Sequence, residues 1–251
     1  MSINTITPVI IAKDAEPTIE ACLGSLERFS EVILYINNST DKTKELAEGF
    51  SNVKVIEGEF LGFGQTKNRA STYATNSWIF SLDADEVLTS EIVDNIKALT
   101  FKKGNIYSIL RNNFYKDKEI KHCWGNDILV RIYNREETSF ADKKVHEYII
   151  DEGMNVQAIE GMVQHYPYSN ISEFIVKLDR YSTLFAHDNV GKKSSSPTKA
   201  FFNGIFSFIK TYFFKQGFRD GYAGLIIAFS HTATNFYKYM KLYEMNQELK
   251  R

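Results

Sequence analysis

Asp83 and Asp85 stand one residue apart at the end of an apolar run, WIFSL at 78–82, and Glu86 follows directly. Read as a buried strand, that run delivers both carboxylates to the carboxyl end of a sheet. In an open parallel sheet this is where ligands bind. Two carboxylates converging on one point repel, and each becomes costly to ionise without a cation. A hard divalent ion bridging to a diphosphate relieves the repulsion. The competing reading makes Asp83 a strand-end turn residue and Asp85 the cap of a helix starting near Glu86.

Other side chains carry weaker signals. Trp124, beside Gly125, offers a flat apolar face on which a pyranose packs; the alternative is ordinary core. Arg131 has the planar fork that holds a phosphate bidentately. Gly62-Phe63-Gly64 lacks the spacing of a dinucleotide fingerprint and reads as a turn into a helix. Cys22 and Cys123 form neither a disulfide scaffold nor a zinc spacing. A reducing compartment is the simplest setting for them.

The elements that must position these groups alternate in type. Thr7–Ala12, Glu31–Ile36, Val53–Glu57 and Trp78–Leu82 read as strands. Pro17–Phe29, Thr43–Phe50 and Phe63–Thr75 read as helices between them. That order predicts a parallel sheet covered on both faces. Further strands are expected at Ile106–Arg111, Asp127–Tyr133 and Tyr148–Ile150. From Ile171 the chain is helix-compatible, broken by a loop at Gly191–Pro197, and the domain boundary is placed near His165–Asn170.

Composition bounds the rest. The chain has 251 residues, 43% hydrophobic and 24% charged, so it can bury an ordinary core. The opening MSINTITPVIIAKDAEP shows no basic segment followed by an apolar one, so no secretory signal is expected. The apolar stretch Ala223–Phe229 is far short of a membrane span. Charge is uneven: from Asn170 onward there are twelve Lys+Arg against six Asp+Glu, while the part before is acidic. Fourteen aromatics fall between Phe201 and Tyr243. Lys199, Lys210, Lys215 and Arg219 flank them, and such a helix suits the headgroup plane of an anionic membrane. Packing against the preceding domain accounts for part of the aromatics. Nucleic acid is a poorer partner, because no recognised binding pattern is present and the front is acidic.

Nine stretches, in order, carry a resemblance: VIIAKDAE (9–16), NNSTDKT (37–43), FLGFGQTKNRA (60–70), WIFSLDADEVL (78–88), HCWGNDILVRIYNR (122–135), KVHEYI (144–149), HYPY (165–168), KLDRYSTL (177–184) and FFKQGFRDGYAGL (213–225). The chain resembles the family-2 glycosyltransferases of GT-A fold, and more narrowly the lipopolysaccharide and lipooligosaccharide core-sugar transferases among them. The resemblance implies an α/β fold: a Rossmann-like nucleotide-sugar-binding sheet with helices on both faces over 1–168, then a basic, aromatic helical extension over 169–251. It implies an inverting, metal-dependent hexosyltransferase. The donor would be a nucleotide sugar, UDP-linked by preference and GDP-linked as the alternative. The acceptor would be a lipid-linked core oligosaccharide, met by a cytoplasmic protein peripheral on the inner face of the bacterial inner membrane.

Carried over residue by residue, the resemblance puts the base beside Ala12, Asp14 and Glu16. Asn37 and Asn38 also belong to the donor site, and Lys67, paired with Asn68, lines the nucleotide. Asp83 faces the ribose or nucleotide side and Asp85 ligates Mg²⁺ or Mn²⁺, with Asp83 and His165 also at the metal. Glu147 takes the base role, with Asp127 as its rival. Trp124, Arg131 and His146 belong to the acceptor side. One departure stands out: Ile36 occupies the place of the family's usual nucleoside-binding Asp, which leaves the base open.

Two other functions compete. Asp83–Val87 fits the D-x-D-x-[TV] string of haloacid-dehalogenase-type phosphotransferases and phosphatases, but there it should end the first strand, not the fourth. A non-catalytic membrane-surface binding module that kept the fold is the third reading, to which Ile36 gives weight.

Overall fold

The computed structural model describes residues 2–142 and 147–249. By contacts the chain divides into two compact units. One comprises residues 1–112 and 126–166, the other 113–125 and 167–251.

In the first unit, strands β1 (Ile6–Ala12), β2 (Val32–Ile36), β3 (Val53–Glu57) and β4 (Trp78–Asp83) are parallel neighbours in the order β3-β2-β1-β4. Their side chains alternate between two cores, as period-2 geometry requires. Ile10, Leu34 and Leu82 face a core closed by helices α1 (Ile19–Gly24) and α4 (Ser90–Ala98). Val9, Ile33 and Ile79 face the opposite core, which α3 (Phe63–Ser71) helps to close through Ala70. Each fully buried aliphatic contributes about 1.5–3 kcal/mol. Helix α2 (Thr43–Ala47) joins β2 to β3.

Beyond β4 the expected parallel sheet turns mixed. Strand β8 (Asp127–Asn134) runs antiparallel to β4 and to β6 (Asn105–Tyr115). Strand β9 (Asn155–His165) follows β6 in the sheet and pairs antiparallel with β5 (Glu86–Leu88). Glu86 therefore opens a strand, not a helix. No sequence signal marks β9, because its first half is largely exposed and its two deeply buried apolar residues, Ile159 and Val163, lie four apart, a helical spacing. Gly161 has φ +96°, and a Cβ there would stand 2.9 Å from the Ile92 backbone nitrogen, so α4 crosses β9 only over a glycine.

Other boundaries shift for local reasons. The helix expected to reach Phe29 ends at Gly24, where Ser25 Oγ donates to the Cys22 carbonyl at 2.7 Å and accepts from Leu88 N at 3.1 Å. Tyr148–Ile150 contributes only a bridge between Ile149 and Phe140.

In the second unit, the end of β6 pairs with β7 (Lys118–Glu119). Helix α5 (Ile171–Asn189) starts at an Asn170 cap whose side chain accepts from Glu173 N. Helix α6 (Pro197–Phe208) starts at a Ser196 cap with proline in its first turn. It continues as a π-turn at Ile209–Phe214 and a short 3₁₀ turn at Gly217–Asp220, then helix α7 (Gly221–Glu248). The segment 113–125, which the sequence does not tie to this unit, is held by Asp220. Its carboxylate accepts from the backbone N–H of Lys121, His122 and Cys123 at 2.9–3.1 Å, and His122 Nδ1 lies 2.8 Å away.

Candidate active site

The end of β4 carries Asp83, which sits in register with Ile11 of β1. Three cations surround it. Lys67 Nζ donates to Oδ1 at 2.8 Å, Arg131 Nη2 donates to Oδ2 at 2.8 Å, and Arg111 Nη1 lies 3.9 Å from Oδ2. Burial alone would raise the Asp83 carboxyl; Arg131 and Lys67 overcome it and hold the group well below the usual carboxylate range.

These contacts belong to a longer ladder of charge. Glu86 is fully buried. It accepts from the Asp83 backbone N–H at 3.0 Å, from Arg111 at 3.1 Å and from Arg131 at 2.7 Å. Arg111 also donates to Asp127 at 2.8 Å, and Lys67 donates to Glu147 at 3.2 Å. The order is Asp127, Arg111, Glu86, Arg131, Asp83, Lys67, Glu147. The two candidate bases thus stand at the two ends of one alternating chain of four carboxylates and three cations. Lys67 is only 2% exposed, so it is no solvated helix lysine.

Local structure explains why Glu147 meets Lys67. Gly62, at φ +104°, caps α3, as the expected turn requires. Asn68 clamps Phe140 in both directions: its Nδ2 donates to the Phe140 carbonyl and its Oδ1 accepts from the Phe140 N–H, each at 2.9 Å. Ala141 N then donates to the Tyr148 carbonyl at 2.9 Å, beside the Phe140–Ile149 bridge. Asn68 is thereby committed to backbone and not to a nucleotide. A cleft of about 370 Å³ opens over this ladder, lined by Asp83, Arg111, Arg131, Glu147, Tyr148 and Ile128 among others.

Asp85 lies beyond the ladder, partly exposed. Its Oδ2 is 3.4 Å from His165 Nε2, and its carbonyl accepts from Tyr166 N at 2.9 Å. The β5–β9 register sets Glu86 opposite His165, which brings the imidazole to Asp85. Among the described residues no group of three or more His, Cys, Asp or Glu is arranged around a metal position. The Asp85 carboxylate still suits Mg²⁺ or Mn²⁺, which take one or two carboxylates and fill the rest with substrate phosphate and water, and the His165 imidazole stands beside it.

The loops after β1 and β2, where the resemblance puts the donor, are laced together. Asp14, at φ +48°, accepts from Thr40 N at 2.7 Å; its own N–H donates to Ser39 Oγ at 3.0 Å. Glu16 accepts from Lys42 N, and Glu16 N donates to Asp41 Oδ2. Ala12 and Asn37 are buried and joined by an Asn37 N–H to Ala12 carbonyl bond of 3.0 Å. Asn38 is exposed in a left-handed turn. Ile36 is buried in the core.

The three residues expected on the acceptor side fall in different places. Arg131 does not present a free fork to a phosphate: it is buried, and one Nη donates to both Asp83 and Glu86, because a fully buried carboxylate requires a cation. Trp124 belongs to the second unit, tilted against Tyr168 at 5.5 Å between ring centres, beside a core of Tyr115, Cys123 and Phe174. His146 lies outside the described residues. Arg111 and Glu86, the middle of the ladder, were missed by sequence reasoning; their one signal was charge inside or beside otherwise apolar strands.

The profile of the family described as "Glycosyl transferase family 2" matches residues 7–156. The chain belongs to that family. With its mixed sheet and helices on both faces it has the family's GT-A fold. This removes the haloacid-dehalogenase reading, and Asp83, with both oxygens held by cations, is no free nucleophile. An uncharacterized glycosyltransferase of Rickettsia typhi is 29% identical over 96% of this chain and 87% of its own. The lipopolysaccharide core biosynthesis glycosyltransferase LpsC of Rhizobium meliloti is 26% identical over 94% of this chain and 90% of its own. Among solved structures, a glucosyl-3-phosphoglycerate synthase of Mycobacterium tuberculosis with Mn²⁺ and UDP is 22% identical, with 45% of each chain covered and a TM-score of 0.35.

Proposed function

We propose that this glycosyltransferase is an inverting hexosyltransferase that moves a sugar from a nucleotide-sugar donor, UDP-linked by preference, to a lipid-linked lipopolysaccharide or lipooligosaccharide core oligosaccharide. The carrying observation is Lys67, which joins the donor-side carboxylate Asp83 to the base candidate Glu147 in one cleft. The likeness to LpsC over most of the chain supports the acceptor class. Acceptor synthesis on the inner face of the bacterial inner membrane would put the protein at an anionic surface on the cytoplasmic side.

In this reading the laced loops after β1 and β2 hold the nucleoside, with Asp14, Glu16, Asn37 and Asn38 at its edge, and Asp83 fixes its orientation. Asp85 and His165 would hold a divalent cation, which would supply charge neutralisation for the leaving diphosphate. Glu147 removes the acceptor hydroxyl proton as that oxygen attacks the sugar's C1 from the face opposite the diphosphate. Lys67, donating to Glu147 at 3.2 Å, keeps it oriented. Asp127, tied to Arg111 at the far end of the ladder, braces the site.

The test is a thermal-shift screen of UDP-, GDP- and ADP-sugars with and without Mn²⁺, since a ligand of the folded state raises its apparent stability. A Mn²⁺-dependent shift with one nucleotide, lost in Asp85→Ala, is expected. No shift with any of them, in protein that stays folded, would return the chain to the non-catalytic reading.

A further inference from the structure

The second unit exposes aromatic side chains on consecutive elements. Phe202 and Phe206 on α6, Phe213 and Phe214 on the π-turn, Phe218 on the 3₁₀ turn and Tyr222 at the start of α7 are all more than half exposed, and Phe214 reaches 72%. Lys210, Lys215 and Arg219 are exposed among them. Between Pro197 and Phe229 the sequence holds one acidic residue, Asp220. It is 2% exposed, and its carboxylate is spent on the 121–123 backbone and His122. This surface therefore joins large apolar rings to uncompensated positive charge.

It is also held firmly in shape. A Cβ on Gly224 would collide with the Gly217 carbonyl, and one on Gly217 would stand 2.9 Å from the Thr211 carbonyl. The turns that carry Phe213, Phe214 and Phe218 are thus locked against α7 before any partner arrives.

We propose that this face binds the surface of an anionic phospholipid bilayer, with the rings of Phe213, Phe214 and Phe218 inserted below the headgroups and Lys210, Lys215 and Arg219 against lipid phosphates. Charge selects the occupant. In a two-fold self-association the same cations would meet their own copies, and buried interface cores are depleted of charge. An anionic lipid layer answers both the rings and the cations. Insertion stays shallow, since no helix among the described residues is long and apolar enough to cross a membrane. The inference gives the proposed lipid-linked acceptor a docking face, but its evidence lies wholly in the second unit.

The experiment is flotation of the full chain with vesicles of phosphatidylcholine alone and of an equal mixture with phosphatidylglycerol. Binding to the mixture, little to phosphatidylcholine, and release by salt are expected. Each of Lys210→Gln, Lys215→Gln and Arg219→Gln should lower partitioning about fivefold. The triple variant Phe213→Ser, Phe214→Ser, Phe218→Ser should lose binding while keeping the wild-type melting temperature. Equal binding to both vesicles, none to either, or a charge variant that partitions as wild type would overturn the proposal. So would a dimer in lipid-free solution that the triple Ser variant dissolves. Nucleotide binding with Mn²⁺, measured without lipid on the same protein, reads the transferase proposal separately.

Discussion

The first unit hides charge, whereas the second displays aromatic rings. Glu86, Arg131 and Lys67 are nearly or fully removed from water, and each survives only because a partner of opposite sign is within 3.2 Å. Phe213, Phe214 and Phe218 leave half or more of their surface in water, although burying the rest would stabilise the fold further. Both arrangements forgo stability that an ordinary domain would keep. In the first unit the forgone energy holds carboxylates at fixed places around a cleft. In the second it leaves a surface ready for an apolar partner.

That contrast can be broken by experiment. The largest effect is expected for Glu147→Gln, which should lower turnover roughly 10²- to 10⁴-fold, the usual weight of a general base, while nucleotide affinity holds. Near-normal turnover in that variant, with Asp127→Asn inactive, would move the base to the other end of the ladder. Next comes stability. Glu86→Ala removes the buried carboxylate that Arg111 and Arg131 share, leaving each a single hydrogen-bonded partner, and should cost up to about 3–5 kcal/mol in urea unfolding. Phe214→Ser should change it by no more than about 0.5 kcal/mol, as surface substitutions do; similar losses in both would erase the distinction. The acid limb gives the smallest effect. Because the folded Asp83 carboxyl is depressed, its stabilisation is complete above its ordinary value of 3.8 and fades only as pH falls through the lower folded value. Lys67→Met should therefore raise the pH midpoint of acid unfolding followed by circular dichroism, and an unmoved midpoint would show that Lys67 does not hold Asp83.

The parallel half of the sheet was legible in the sequence, since β1 to β4 are short apolar runs separated by helical or turn signals. Asp83 and Asp85 were legible as a strand-end pair for the same reason. The antiparallel half was less so. Strand β9 buries only two of its residues deeply, and a strand with one thin buried stripe loses the alternation that identifies it. Glu86 read as one more acid after Asp85, because nothing local reveals that Arg111 and Arg131, 25 and 45 residues away, will close over it. For Trp124 the sequence left a sugar platform and ordinary packing both open; its ring packs against Tyr168 beside the second unit's core, a contact with a residue 44 positions away that no local signal announces.

Gly161 gives this layout an unexpected point of failure. Any side chain there would lever helix α4 away from strand β9, whose last residue is His165 and whose partner strand begins with Glu86. An alanine at a position that touches no substrate would thus displace an imidazole and a carboxylate together. A random-mutagenesis screen scored on activity alone would count Gly161 among the reactive groups, although its whole contribution is the absence of a methyl.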